Sequence, residues 1–195
     1  MEDLIFDKAT LRKQLSSLDS NGLLIFGVLC CERMFPNYVA FVNQNNWGNA
    51  DILRYTIDLA WSHAQTGKSD PDLGILKNDC ISATPHPDHF QSLSVSSALD
   101  AALSIATLID LIGSSDVQHA FTIASFAHDT VHMFVRELDG MDDNAPDLSE
   151  QVYSHDLMKR ELQKQQSDIE MLRGKFEIKL LSSKYRGCSS SSIAI

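Results

Sequence analysis

The sequence lacks the alternation of Val, Ile and Thr with polar residues that half-buried β-strands produce. Apolar residues recur instead every three or four positions in almost every window, which is the spacing of a helix that buries one face. A length of 195 residues is typical of one domain. We therefore predict an all-α fold with one domain of about seven helices.

Familiar catalytic and nucleotide-binding motifs are also absent. The chain contains no G-x-G-x-x-G, no G-x-x-x-x-G-K-[ST] and no G-x-S-x-G. None of its four cysteines has the C-x-x-C or C-x-x-H spacing of a zinc site. We expect no cofactor and no resident metal, and the sequence by itself assigns no activity.

Basic residues are scarce over most of the chain. Residues 1–150 hold 8 Lys and Arg against 21 Asp and Glu, whereas residues 151–195 carry a net charge of +3. The acidic part would repel a phosphate backbone and attract a basic surface. We therefore predict no nucleic-acid partner and a basic protein partner, although a surface that only keeps the protein soluble is the simpler explanation.

Neither a positively charged, apolar leader nor a membrane-length run of about 18 apolar residues is evident. We predict a cytoplasmic protein without membrane association. In a chain long enough to bury its own core, Cys30, Cys31, Cys80 and Cys188 are predicted to be free, mostly buried thiols.

Turn and capping signals divide the chain into helices. A first helix carries Leu4 to Leu18 and ends at Asn21-Gly22, and a central apolar helix follows until Pro36 interrupts it. Asn49 to Gly67 bounds the next helix, and Asp70-Pro71 starts a short one that ends near residue 83.

The second half is predicted to contain three longer helices. The first ends at Gly113, the second begins at Ser115 and ends at Leu138, and the last covers about residues 150–185 as one long C-terminal helix. Its interleaved charges, Glu161 and Asp168 among them, predict a self-paired surface. The domain is predicted to cover residues 1–187, with 188–195 a Ser-rich, loosely held tail whose final Ile-Ala-Ile could pack against the body.

One block carries a resemblance. The segment CERMFPNY (31–38) is followed by DILRYTIDLAW (51–61), and weaker similarity continues through Asp100 and the closing SIAI. In this respect the chain resembles the YjaG-like family of uncharacterised bacterial proteins. The matching positions are Cys31, Glu32, Arg33, Met34, Pro36, Asn37, Tyr38, Leu59 and Trp61. The resemblance implies an all-helical fold and brings no established activity.

Glu32 and Arg33 are charged residues within an apolar helix, so burial without partners would be costly. We predict a polar clasp in which Glu32 binds Arg54 or Arg33 binds Asp58. Its role would be to fix the kink at Pro36, with Tyr38 supplying a hydroxyl.

Two histidines lie one helical turn apart in the sequence H-D-x-x-H, close to the spacing of zinc hydrolases. A third ligand could come from His119, Glu137 or His155. The alternative is that His128 and His132 are half-exposed helical histidines, which we favour.

An acidic stretch follows the second long helix. Its carboxylates are Asp139, Asp142, Asp143, Asp147 and Glu150, and a second acidic group is formed by Asp70, Asp72, Asp79 and Asp88. A calcium loop fits the first stretch poorly, because Met141 and Asn144 occupy positions that should hold an acid and a glycine. Either group could be the docking face for a basic protein.

These features favour a non-catalytic acidic binding protein. Its most specific form is a bacterial immunity protein that covers the active cleft of a cationic toxin, for example a nuclease, with carboxylates in place of phosphates. The alternatives are an uncharacterised housekeeping protein and a metal-dependent enzyme that uses His128 and His132.

Overall fold

A computed structural model describes residues 6–68, 72–90, 94–174, 176–186 and 191–193. Within these ranges the secondary structure is entirely helical, with nine α-helices and one short 3₁₀ helix. The α-helices are α1 (Lys8–Leu15), α2 (Ser20–Asn45), α3 (Ala50–Thr66), α4 (Leu73–Ser82), α5 (Ser94–Ser114), α6 (Val117–Leu138), α7 (Leu148–Ser154), α8 (Asp156–Arg173) and α9 (Ile178–Tyr185). The all-α prediction is confirmed, whereas the predicted count of about seven is too low.

Helix α2 is the centre of the fold. It packs against α3, α5, α6 and α8, and its side chains from Leu23 to Cys31 are almost completely buried. The predicted interruption at Pro36 is wrong, because α2 continues through this residue to Asn45. Met34 and Tyr38 are fully buried on either side of the proline. Burial of both halves offsets the ~3 kcal/mol that an interior proline costs.

Local signals place both ends of α3 correctly, whereas the predicted end of the first helix at Asn21-Gly22 is wrong, because α1 ends at Leu15 and these two residues lie in the first turn of α2. Asn49 caps α3 with its side chain, and Gly67 ends it in the left-handed conformation. The predicted start of α4 at Asp70-Pro71 lies outside the described residues, and Asp72 is the observed N-cap. Asp116, not Ser115, caps α6.

The predicted long C-terminal helix is also wrong, since residues 148–185 form three helices. His155 is extended and accepts a hydrogen bond from the Leu157 N–H, which ends α7 and caps α8. Gly174 is extended at the end of α8. The break at His155 lets α7 fold back against both α6 and α8, which buries Val152.

Two hydrophobic cores result. The main core occupies the space between α1 to α6 and parts of α8 and α9. A smaller one, here called the satellite core, consists of Val131, Val135, Val152, Met158, Leu162 and Ile193. In the described part of the predicted tail, Ser191, Ser192 and Ile193 are buried, which agrees with the predicted packing of the final Ile-Ala-Ile against the body at Ile193.

Helices α2 and α5 are each long and apolar enough to cross a membrane, with mean hydropathy of 1.3 and 1.7 over their most apolar 18 residues. In the fold, 72% and 61% of those windows are buried by other parts of the protein. Core helices of soluble proteins meet the same criterion, so cytoplasmic location stays a prediction.

Candidate functional site

Glu32 is buried and fully paired. Its carboxylate accepts two hydrogen bonds from Arg54, at 2.8 and 2.9 Å, and a third from the Trp61 indole N–H at 2.9 Å. Arg54 also binds Asp58, which in turn accepts from Arg186 in the turn after α9. The predicted Glu32–Arg54 pair is therefore confirmed, and it joins α2 to α3.

Arg33 binds two carboxylates, and neither of them is the predicted Asp58. Its guanidinium contacts Glu161 at 3.2 Å and Asp168 at 2.7 Å, both on α8, and not Asp58. Successive side chains diverge by about 100° around a helix, so Glu32 faces α3 while Arg33 faces α8. Burial alone would lower the pKa of Arg33, but the two carboxylates outweigh it and raise this pKa above its usual value.

The predicted self-paired surface of this region is wrong for these two acids, because Glu161 and Asp168 are only 2% and 5% exposed. Gln165, one turn from each, is also buried and donates to Glu161 and to the Ala124 carbonyl. Glu161, Gln165 and Asp168 lie on the same face of α8 as its buried apolar residues. Their helical spacing with those residues is the signal that sequence reasoning missed.

Tyr38 has a role separate from these ion pairs. Its hydroxyl donates to the Ala83 carbonyl at 2.5 Å and accepts from the Asn49 N–H at 3.1 Å. It therefore links the C-terminal end of α4 and the start of α3 to α2.

Cys30, Cys31 and Cys80 are free and buried, and burial raises the pKa of each thiol. Cys188 lies outside the described residues.

The two histidines of H-D-x-x-H are neighbours on α6, with ring centroids 5.6 Å apart. The prediction that both are half-exposed is wrong for His128, which is 7% exposed and stacks on Phe6. His128 Nδ1 lies 2.8 Å from Asp129, and Nε2 lies 3.1 Å from the Tyr153 hydroxyl. A carboxylate can only accept, so Nδ1 is the nitrogen that donates to Asp129, and in the neutral ring Nε2 then accepts a hydrogen bond from the Tyr153 O–H.

Both ring nitrogens of His128 are thus engaged, and a metal ion at Nε2 would have to displace Tyr153. Across the described ranges, no group of three or more His, Cys, Asp or Glu side chains is placed to hold an ion. The lower pKa of His132 follows from burial and from its neighbours His128 and Arg136. The Asp129–His128–Tyr153 chain orients Tyr153, whose pKa burial raises.

Tyr153 forms one wall of a surface groove of about 480 Å³ beside α7. Asp147, Glu150 and Pro146 line the groove, with Lys159 at the α8 side. The main chain of Phe6 also bonds to the Tyr153 hydroxyl, so Phe6 contacts both Tyr153 and His128.

All five carboxylates of the first acidic group are exposed, and two of them, Asp147 and Glu150, line this groove. We call this group the acidic loop surface, and it consists of Asp139, Asp142, Asp143, Asp147 and Glu150. Within the described structure, Asp143 is the member that forms an ion pair with Lys or Arg, through Arg136. Asp139 lies 3.7 Å from His155. Among the described residues, no Lys, Arg or His forms an ion pair with Asp142, Asp147 or Glu150, and Lys159 lines the same groove as the last two.

The second acidic group is less coherent. Asp70 lies outside the described residues, and Asp72 accepts hydrogen bonds from the first turn of α4. Asp79 lines a different groove next to Trp47, and Asp88 lies on the 3₁₀ helix Pro87–His89. Because Asp72 already serves as a helix cap, the contiguous acidic loop surface is the stronger candidate.

The fold and the site define an all-α protein with a central buried helix, two sets of buried ion pairs and an exposed acidic loop surface. Residues 10–194 match the family described as "Protein of unknown function (DUF416)", and the chain belongs to this family. The resemblance predicted from residues 31–38 is thereby confirmed.

Two similar proteins carry one name. The chain is 26% identical over 138 residues to "Uncharacterized protein YjaG" of Escherichia coli (strain K12), a match that covers 70% of each chain. It is 26% identical over 121 residues to the protein of the same name from Salmonella typhimurium, covering 62% of each. A crystal structure of a DUF416 family protein from Shewanella baltica OS155 shares the fold, with a TM-score of 0.86, 24% identity and coverage of 94% of this chain and 97% of that one.

Proposed function

We propose that this protein is a non-catalytic binding protein whose acidic loop surface docks a basic protein partner. The observation that carries the proposal is the exposure of five carboxylates on residues 139–150. They lie on the same stretch of chain as a groove whose lining includes Tyr153, which His128 holds in place. A surface of one charge sign attracts an oppositely charged partner and speeds its approach.

The groove adds a contact that charge alone would not provide. Tyr153 and Pro146 present apolar area next to Asp147 and Glu150. Tyrosine is a common anchor at interfaces, and a Lys or Arg side chain that enters such a groove can contact both the ring and the carboxylates. The groove therefore fits a basic partner that presents a protruding Lys or Arg side chain.

The finer form of the proposal is an immunity protein that covers the cleft of a cationic toxin. Its support is the overall net charge of −10 and the concentration of acids before residue 151. The distinguishing experiment is to co-express the chain with a basic protein encoded beside its gene. Relief of that protein's toxicity supports the finer form, and binding without toxicity supports only the broader one.

The docking surface is tested with two matched quadruple variants that remove equal charge. The first is Asp139→Asn, Asp142→Asn, Asp143→Asn and Asp147→Asn. The second is Asp70→Asn, Asp72→Asn, Asp79→Asn and Asp88→Asn, in which asparagine keeps the helix cap. Association of the neighbouring basic protein is followed by stopped flow at a series of salt concentrations.

We expect the first variant to slow association about tenfold or more at low salt and the second to have a smaller effect. The difference should shrink as salt rises, because the Debye screening length falls to about 8 Å at physiological ionic strength. Slowing by the second variant alone would move the docking face to α4. No effect of either variant or of salt would refute the electrostatic proposal.

A further inference from the structure

The segment Ser191–Ile193 occupies a slot between α2 and α8 that has the properties of a built peptide site. We infer that this slot, formed by the Arg33 carbonyl, Asn37, Arg160 and the satellite core, is a recognition site for a Ser-Ser-aliphatic peptide. In this chain it is filled by residues 191–193. We call it the tail slot.

Asn37 is the centre of the polar recognition. Its amide nitrogen donates to the Ser192 hydroxyl at 3.0 Å, and its amide oxygen accepts from the Ser191 hydroxyl at 2.6 Å. Asn37 is completely buried, and these serines are the side-chain partners that the described structure gives it. Without the peptide, a buried amide would lose both partners, which is costly.

The peptide backbone is bound as well as its side chains. The Ser192 N–H donates to the Arg33 carbonyl at 2.9 Å, one turn before Asn37 on α2. The Arg160 guanidinium donates to the carbonyls of Ser191 and Ser192, at 3.1 and 2.6 Å. Two helices that are far apart in sequence thus bind both hydrogen-bonding edges of the segment.

Pro36 lies in the same stretch of α2 as this accepting carbonyl. A proline inside a helix removes the main-chain donor to the carbonyl four residues earlier, here that of Glu32, and its ring crowds the preceding turn. The Arg33 carbonyl lies in that turn and accepts from outside the helix. The turn from Arg33 to Asn37 thus supplies both a main-chain carbonyl and a side-chain amide to the peptide.

Ile193 provides the apolar part of the recognition. It is 2% exposed and is a member of the satellite core, next to side chains of α6, α7 and α8. Burying an isoleucine side chain is favourable because it removes apolar area from water. A polar residue at this position would lose that contribution, so the slot selects two serines followed by an aliphatic side chain.

The slot is tested by asking whether it holds the peptide without a covalent link. A specific protease sequence is inserted between residues 187 and 188 of the full chain and is cleaved after the protein has folded. Retention of the 188–195 fragment is measured by native mass spectrometry and rapid gel filtration, and circular dichroism follows the helix content of the body. We expect retention with a Kd of about 10 μM or tighter.

The matched variants are Asn37→Leu in the slot and Asn45→Leu on the same helix, where the described structure shows the amide donating to the Phe41 carbonyl of α2. We expect Asn45→Leu to retain the fragment and Asn37→Leu to weaken it at least tenfold. If Asn37→Leu does not fold, Ile193→Ser, which alters only the peptide, and Arg160→Ala, which alters an exposed side chain, give the same comparison. Loss of the fragment from the parent protein overturns the inference, and so does equal retention by the parent and all slot variants.

Discussion

Replacing Glu32 with alanine tests whether the buried ion pair at the centre of the fold stabilises it. The Glu32 carboxylate is 2% exposed, and its partner Arg54 has a side chain that is 23% exposed. Breaking a buried pair costs about 3 to 5 kcal/mol, since one charge loses its compensation. Arg54 keeps Asp58 as a partner, which places its share of this cost at the low end.

The Trp61 indole adds a second contribution. Its N–H donates to Glu32 and the ring is 1% exposed, so Glu32→Ala leaves a buried donor without its acceptor. An unsatisfied buried donor costs about 1 to 3 kcal/mol. We therefore expect Glu32→Ala to lower the free energy of unfolding by about 4 kcal/mol and Tm by roughly 8 to 16 °C.

Two control variants test whether the stability loss of Glu32→Ala comes from the buried charge. Glu32→Gln keeps the size and an acceptor oxygen, so its loss should be roughly half as large. Asp58→Ala removes a half-buried carboxylate at the edge of the same cluster and should cost less than about 1 kcal/mol. Equilibrium urea unfolding, followed by circular dichroism and tryptophan fluorescence, measures all three with an unchanged m-value. A loss below about 1 kcal/mol for Glu32→Ala, or one equal to that of Asp58→Ala, would refute the reasoning.

Two further predictions concern α5 and the loop before α3. Burial raises the pKa of Asp100 to about 6 even though Thr130 donates to it, so the ionised carboxylate destabilises the fold above pH 6. Asp100→Asn should therefore raise the free energy of unfolding by about 2 to 3 kcal/mol at pH 8 and by almost nothing near pH 4, and an equal gain at both pH values would contradict this. Gly48 has a φ of +112°, and an added Cβ would lie 2.7 Å from the Tyr38 hydroxyl, whereas a Cβ at Gly67 meets open space. Gly48→Ala should lower Tm by clearly more than Gly67→Ala, and equal shifts in a thermal scan would show that contact with Tyr38 is unimportant.

Helix ends that depend on local chemistry could be predicted from the sequence, and those that depend on packing could not. Asn49 and Gly67 bound α3 through a side-chain cap and a left-handed glycine, both of which are properties of one residue and its neighbours. The helix through Pro36 and the break at His155 depend instead on what each segment buries. A local cost of a few kcal/mol is small beside the burial of several large side chains.

The same division applies to the site. The need of Glu32 for a partner follows from its apolar surroundings, and Arg54 was one of the few nearby cations. The partners of Arg33 are more than 120 residues away on α8, and no local pattern connects them. The exposure of the acidic loop surface followed from its composition, whereas the Tyr153 wall and the His128 contact beneath it required the fold.

The tail slot also has a consequence for the order of folding during synthesis. Asn37 and Ser192 are 155 residues apart, so the ribosome completes almost the whole protein before the residues that satisfy Asn37 emerge. Until then α2 carries a buried amide and a carbonyl without their final acceptor and donor, while α3 to α6 are already available to assemble around it. Contacts of such high sequence separation form late, because loop closure must precede them. Nascent chains arrested before residue 191 should therefore have an assembled main core and a satellite core that lacks Ile193, so that chaperones would find its remaining side chains less completely covered.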